Sequence, residues 1–403
     1  MSTRIFIRGI LLIELVFVLL LAPSQTCTAQ TKPASATPMI YQQPDVLEIM
    51  KRVMNFQIKA YPEKPVLTWQ AGAFWAGVTG AMDATKDPAF HDAAEKWGQA
   101  ANFKLAVDKR PFHCDSIAVG QAYLDLYFTD KDPKEIETLK AHLVKFLDKK
   151  TISKGEVGNA PGVEDGAPFT GRNVWWWCDA LFMAPPVFAK MSVADGNQKW
   201  LDLMNSFYWD SVQLLYDPAE GLFYRDARYF PDKKKTPSGK KIFWGRGNGW
   251  VYAGIIRTLD SIPESDPSRA KFIELFKQMT PAIVKYQGAD GLWRPCINDA
   301  EWYSMPETSG SGFFCYGLFA GINRGILDRE TYLPIALRAW SGLCSHVNAE
   351  GMLGYAQKEG AGPGPTDADT FRDYANGAFL LAGSEVYKLN LTAQDITRLK
   401  KPD

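Results

Sequence analysis

Helix-like segments in this chain come in two kinds, and the two kinds alternate. AFWAGVTGAM (73–82), SGFFCYGLFAGI (311–322) and ANGAFLLAGSEV (375–386) are small and apolar on nearly every side. A helix with that surface needs neighbours all round it. PKEIETLKAHLVKFL (133–147) and PSRAKFIELFKQM (267–279) carry charge on one face only, as an outer layer does. About twelve such stretches follow this order: 44–60, 73–85, 89–105, 116–129, 134–149, 178–191, 197–216, 249–261, 268–287, 311–325, 331–346 and 375–388. Strand-like alternation is rare. Asp87-Pro88, Asp132-Pro133 and Asp266-Pro267 each precede an amphipathic segment. There Asp caps free amides and Pro suits the first helical position. Six pairs repeating every 45–70 residues or so predict an all-α, single-domain (α/α)6 barrel, six inner helices ringed by six outer ones. A looser helical array is the alternative, but the all-apolar inner helices favour closure.

Closure has a consequence for function. The inner helices run in one direction, so their N-termini share a rim. The segments at that rim are TWQAG (68–72), HCD (113–115), WWWCD (175–179), WGRGNGW (244–250), ETSGSG (307–312) and FRDYANG (371–377). Polar and aromatic residues thus converge where helix dipoles present their positive ends. Two long insertions, about 150–175 and 217–247, join the same rim.

Asp179 is the leading candidate for chemistry. It follows three tryptophans, Trp175, Trp176 and Trp177, and opens an inner helix. A carboxyl in so dry a setting keeps its proton and can serve as a general acid. Asp115 opens another inner helix and supplies a second carboxyl, whose proton affinity can be set apart from the first. For both, simple helix capping is the competing reading. In FWGRGNGWV (243–251), Arg246 offers a planar fork for a carboxylate, Asn248 a helix cap, and Trp244 and Trp250 flat faces for a sugar ring. A salt bridge to a structural Asp competes for Arg246, and core packing competes for the tryptophans. Trp69 and Trp177 are further stacking candidates; Arg172, Tyr224 and Arg225 lie in the insertions.

Lys+Arg and Asp+Glu balance at 45 each, so a broad basic field for nucleic acid is not expected and an anion must be bound locally. The 13 Trp suit a sugar-handling protein and equally an aromatic-rich core. Only four His are present, and the Cys lack metal-ligand spacing, so no metal site is expected. Arg4 and Arg8 followed by the apolar run Gly9 to Ala22 and by Cys27-Thr28-Ala29 form a signal peptide, residues 1–29. The run is short for a permanent membrane span. Lipid attachment at Cys27 is disfavoured by Ser24-Gln25-Thr26. The expected organisation is a flexible leader at 30–43, a catalytic domain at 44–390 and a tail at 391–403, in a protein that is periplasmic or secreted. Cys114, Cys178, Cys296, Cys315 and Cys344 then remain, read mostly as buried thiols with one disulfide left open.

WWWCDALFMAPPVFAKM (175–191), FWGRGNGWV (243–251), ETSGSGFFCYGL (307–318) and YANGAFLLAGSEV (374–386) resemble the signature segments of glycoside hydrolase family 105. The resemblance spans about residues 45–390. It implies an (α/α)6 barrel and a hydrolase that removes a 4,5-unsaturated uronic acid from lyase-generated oligosaccharides by hydrating the C4=C5 bond. Asp179 would then be the proton donor and Asp115 its helper, with Trp244, Arg246 and Trp250 in the substrate-binding segment. It implies an acidic unsaturated oligosaccharide as partner, and neither metal nor organic cofactor. Many relatives carry a substrate-contacting His between the WxDALFM and GRGNGW segments. Here GLFYRDARYF (221–230) has none, which leaves Tyr224 or Arg225 in that place and both galacturonyl and glucuronyl substrates open. The competing functions are a sugar epimerase on the same barrel, an ordinary two-carboxylate glycosidase, and a secreted glycan binder without turnover.

Overall fold

In the computed structural model, residues 40–106, 108–389, 391 and 395 are described, and the chain from Ile40 onward forms one unit. The expected signal peptide, Cys27, most of the leader and nearly all of the tail lie outside the described residues.

The outer helices are α1 (Gln43–Ala60), α3 (Pro88–Ala100), α5 (Lys134–Leu147), α10 (Gln198–Leu215), α12 (Ser268–Val284) and α14 (Arg329–Ser345). The inner ones are α2 (Trp69–Thr85), α4 (Gly120–Asp130), α8 (Ala180–Met183) continued by α9 (Pro185–Asp195), α11 (Gly245–Leu259), α13 (Thr308–Asn323) and α15 (Asp373–Lys388). Each inner element packs on the next, from α2 through α4, α9, α11 and α13 to α15, and α15 packs back on α2. The ring is therefore closed, and the fold is the (α/α)6 barrel. Where α2 meets α15 the backbones touch. A Cβ on Gly77 would lie 2.4 Å from the Gly377 carbonyl oxygen, and one on Gly377 would lie 2.3 Å from the Ala73 oxygen. Only glycine permits that approach.

The amphipathic helices begin where the Asp-Pro pairs place them. Asp87, Asp132 and Asp266 each accept a hydrogen bond from the amide two residues on. The inner helices α2, α11, α13 and α15 begin two to four residues earlier than their apolar periodicity suggests, and in α2 and α13 a polar side chain holds the first turn. Thr68 caps α2, and Glu307 caps α13 through the amides of Ser309 and Gly310. Two inner segments are not single helices. Cys114–Ile117 is a 3₁₀ turn ahead of α4, and the expected 178–191 helix breaks at Ala184. Pro185 and Pro186 lack the amide hydrogens that would continue α8.

The other end of the ring confirms its direction. Thr79 of α2, Asp125 of α4, Lys190 of α9, Arg257 of α11, Tyr316 of α13 and Glu385 of α15 surround one cavity of about 560 Å³. Its floor is an ion network. Asp125 is paired with Lys190, and Arg257 reaches the same carboxylate at 3.3 Å and the Gln121 side chain at 2.6 Å.

The first insertion carries α6 (Lys154–Val157), α7 (Gly171–Val174) and the antiparallel pair β1 (Thr151–Ile152) with β2 (Ala167–Pro168). The second carries β3 (Tyr216–Asp217) paired with β4 (Leu222–Phe223) and a 3₁₀ turn, Ala227–Tyr229. The end of the leader is tied to the body: Trp340 Nε1 donates to the Ile40 carbonyl and Tyr41 Oη to that of Leu337. The five described cysteines are free and buried. Among the described residues no helix is long and apolar enough to cross a membrane.

Candidate active site

Asp179 stands at the start of α8 in a helical conformation, and its side chain makes no capping hydrogen bond. The residue is 9% exposed, with Arg225 Nε 3.6 Å and Cys178 Sγ 3.5 Å from Oδ2. Burial raises its proton affinity; the charges of Arg225 and Arg246 oppose but do not cancel this. Asp115 likewise meets a side chain: its Oδ2 lies 3.3 Å from Nδ1 of His113. Burial pushes the Asp115 carboxyl up to about 7, opposed by Arg110 and reinforced by the negative charge of Asp179. The two carboxyls therefore feel each other, and they titrate as a pair.

His113 was not among the candidates from sequence, and it organises this corner. Burial, aided by the charge of Arg110, pushes its pKa down to about 3, so the ring is neutral at pH 7. The ring stacks on Trp177 with centroids 4.5 Å apart, and Nδ1 accepts from the Asp115 amide. Trp177 thus holds the imidazole that holds Asp115. Its neighbours face elsewhere. Trp176 donates to the Val157 carbonyl and lies under the guanidinium groups of Arg225 and Arg228, while Trp175 packs on Phe188 and Phe207 in the core.

Arg225 is the cation beside Asp179. Its carbonyl accepts from the Cys178 amide at 2.8 Å, which pins the second insertion against the start of α8. Nη1 bonds Asp226 at 2.6 Å, while Nε is buried with no hydrogen-bond partner. Arg246 sits deeper than the sequence suggests. It is fully buried and donates to the carbonyls of Gln357 and Lys358 at 2.7 and 3.1 Å. Its guanidinium lies between the rings of Trp244 and Tyr374. It supplies positive potential from beneath and fastens the 357–358 loop; it does not project into open space. The glycines around it are helical and serve close packing: a Cβ on Gly247 would lie 2.7 Å from the Trp244 ring and 2.9 Å from Cys178 Sγ.

Trp69 is a half-buried aromatic of the rim and stacks on Tyr374 at 5.3 Å. Four other candidates have structural partners. Trp250 is fully buried at the centre of the ring against Phe182 and Phe313. Asn248 lies within the first turn of α11, not ahead of it, and clamps the backbone of Phe223 through both its oxygen and its nitrogen. Tyr224 donates to Asp217 at 2.6 Å and stacks on Phe243. Arg172 is exposed and paired with Asp210 of α10, apart from the carboxyl pair. Tyr374 and Gln357 were missed as individuals. Tyr374 lies in the rim segment FRDYANG, but Gln357 comes from a loop whose only sequence signal is the Gly/Pro run that follows it. Among the described residues, the carboxylate cluster close enough to share a cation is Glu95, Asp130 and Glu135, on α3, the end of α4 and α5. It does not include the catalytic candidates.

The profile of Glycosyl Hydrolase Family 88 matches residues 46–390. An unsaturated 3S-rhamnoglycuronyl hydrolase from Formosa agariphila is 38% identical over 328 residues, 80% of this chain and 84% of that protein. The solved structure of a glycosyl hydrolase family 88 protein from Bacteroides vulgatus superposes with a TM-score of 0.76 at 28% identity, covering 86% of this chain and 100% of that one. A possible family 105 member from Salmonella enterica shares the fold at 17% identity, with a TM-score of 0.71 over 88% of this chain and 96% of that one.

Proposed function

This chain belongs to glycosyl hydrolase family 88 and is a glycosyl hydrolase; on that footing we propose that it removes a 4,5-unsaturated uronic acid from the non-reducing end of an oligosaccharide by hydrating the C4=C5 bond. The observation carrying this reading is a carboxyl whose proton affinity burial raises, Asp179, 3.6 Å from a guanidinium Nε that has no hydrogen-bond partner, that of Arg225. In the proposed reaction Asp179 gives its proton to C4 of the vinyl ether. Positive charge develops at C5 and the ring oxygen. The resulting carboxylate of Asp179 takes a proton from the water that adds at C5. The hemiketal opens, leaving a hemiacetal at C1, which breaks to an aldehyde and the free hydroxyl of the leaving sugar. Arg225 faces the uronate carboxylate, Asp115 holds a hydroxyl or the water, and Trp69 offers its face to the ring. The Formosa agariphila relative, an unsaturated 3S-rhamnoglycuronyl hydrolase, favours a substrate in which the unsaturated uronic acid is linked to rhamnose.

Loss of the ultraviolet absorbance of the conjugated acid should follow mixing with lyase-generated disaccharides. In heavy water the product should carry deuterium at C4. Turnover without deuterium at that carbon would eliminate Asp179 as donor to C4.

A second expectation concerns pH. The acid must be protonated, so activity should fall as pH rises through the titration of the pair, whose Asp115 member lies at about 7. In Asp179→Asn the neighbouring negative charge is gone, so the Asp115 carboxyl ionises more readily. Its titration, followed by carboxyl NMR, should move to lower pH in that variant. A titration that stays in place, or moves up, would show that the two carboxyls are not coupled.

A further inference from the structure

Glu95 of α3, Asp130 at the end of α4 and Glu135 of α5 each bring a carboxylate oxygen to one point, all within 4.8 Å of one another. Glu135 is only 2% exposed, Glu95 is half-buried and Asp130 is open to solvent. Among the described residues their sole ion-pair partner is His91, whose Nε2 lies 2.8 and 3.0 Å from the two oxygens of Asp130. Lys131, next in the chain, is turned over the rings of Tyr127 and Phe128 instead.

Two oxygens of the cluster are left without a donor. Oε2 of Glu135 and Oε2 of Glu95 are buried and make no hydrogen bond. A buried acceptor without a donor is costly, and more so when it is charged. The neighbouring side chains orient the cluster without filling that need. Gln99 donates to Oε1 of Glu95 and leaves Oε2 free. His91 steadies Asp130, whose oxygens each keep a second lone pair. Asp130 is also the last residue of α4, where the helix dipole favours positive charge. Three like charges this close, one almost wholly out of water, need either a cation or a proton between them. Burial and the charges of Asp130 and Glu95 raise the proton affinity of Glu135, so a proton is what a cation must displace.

We propose that Glu95, Asp130 and Glu135 bind one calcium ion, which clips the outer helices α3 and α5 to the inner helix α4. The donors are all oxygen, which suits a hard cation and not a soft one. Calcium–oxygen bonds of about 2.3–2.6 Å put opposed ligands roughly 5 Å apart, so oxygens within 4.8 Å of one another close on the ion with little movement. Mg²⁺ demands shorter bonds and a near-ideal octahedron, and it gives up its water reluctantly. Water completes the shell from the open side, where Asp130 stands. Cys and His spacing, the basis for expecting no metal, is silent on carboxylates that three separate helices bring together.

The test starts from protein depleted of calcium with EGTA. Equilibrium dialysis should then show one calcium bound per chain. At a hundredfold excess over Kd, Tm should rise by about 5 °C, and Mg²⁺ at the same concentration should raise it markedly less. Glu135→Gln should abolish both the binding and the shift. Without calcium that variant should be at least as stable as depleted wild type, because a neutral amide relieves the repulsion; a side chain needed only for packing would cost stability in both states. Asp130→Asn, at an exposed position where folding is not at stake, should likewise lose binding. A protein that retains no calcium in dialysis and melts alike with calcium and with EGTA would overturn the site and leave the cluster holding a proton. An equal shift with Mg²⁺ would overturn the choice of ion, and a calcium shift that survives in both variants would place the ion elsewhere.

Discussion

Asp179→Asn should lower kcat by about 10³–10⁴-fold and leave KM within a small factor of wild type. Asparagine keeps the shape and the polar contact with Cys178 but has no proton to give to carbon. The substituted side chain is neutral, as the carboxyl is in its proton-donating form, so Arg225 and Arg246 meet the same charge as in that form. Folding should be intact, because the native carboxyl makes no capping bond that asparagine would have to restore. The measurement is steady-state absorbance loss with an unsaturated disaccharide, alongside direct binding. A variant retaining a tenth of wild-type kcat would move the proton donor elsewhere, with Asp115 next in line. A variant that neither turns over nor binds would show that Asp179 holds substrate instead.

The second large effect is on stability, at the far end of the barrel. Asp125→Ala should cost about 3 kcal/mol, leaving Lys190 and Arg257 in the interior without their shared carboxylate. Both cations are largely hidden, at 7% and 5% exposure. Burial pushes the Asp125 carboxyl up, but Lys190 and Arg257 outweigh that and hold it below the ordinary range. A depressed carboxylate stabilises the fold at neutral pH and loses that contribution as pH falls through its native titration. The Asp125→Ala deficit, read by urea unfolding, should therefore shrink towards acid pH. Adding Lys190→Met should return part of it at neutral pH by removing one stranded charge. Wild-type stability in Asp125→Ala would show that water in the adjoining cavity already solvates these groups.

Much of this was legible in the chain itself, and the reason is local. A helix apolar on all sides cannot face water, and an Asp-Pro pair presets a first turn. Twelve segments and their inner or outer places followed from those two facts. Ring closure put the starts of the inner helices on one rim, so Asp179, Asp115, Trp69 and Trp177 could be named as candidates from position alone.

The roles of individual side chains at that rim were another matter. Arg246 and Arg225 are the same residue type in polar, aromatic stretches, and nothing nearby in sequence separates them. Carbonyls 111 and 112 residues further along bury the first, and a backbone bond to Cys178 sets the second beside Asp179. Asn248, Tyr224 and Trp250 look equally polar or sugar-binding on paper, yet contacts with Phe223, Asp217 and Phe313 tie them into the structure. His113 gained its role only when the start of α8 laid Trp177 against it. Periodicity and capping are short-range properties that a sequence carries with it. Which polar atom is left unpartnered depends on residues far apart in the chain, and that was decided only when the ring closed.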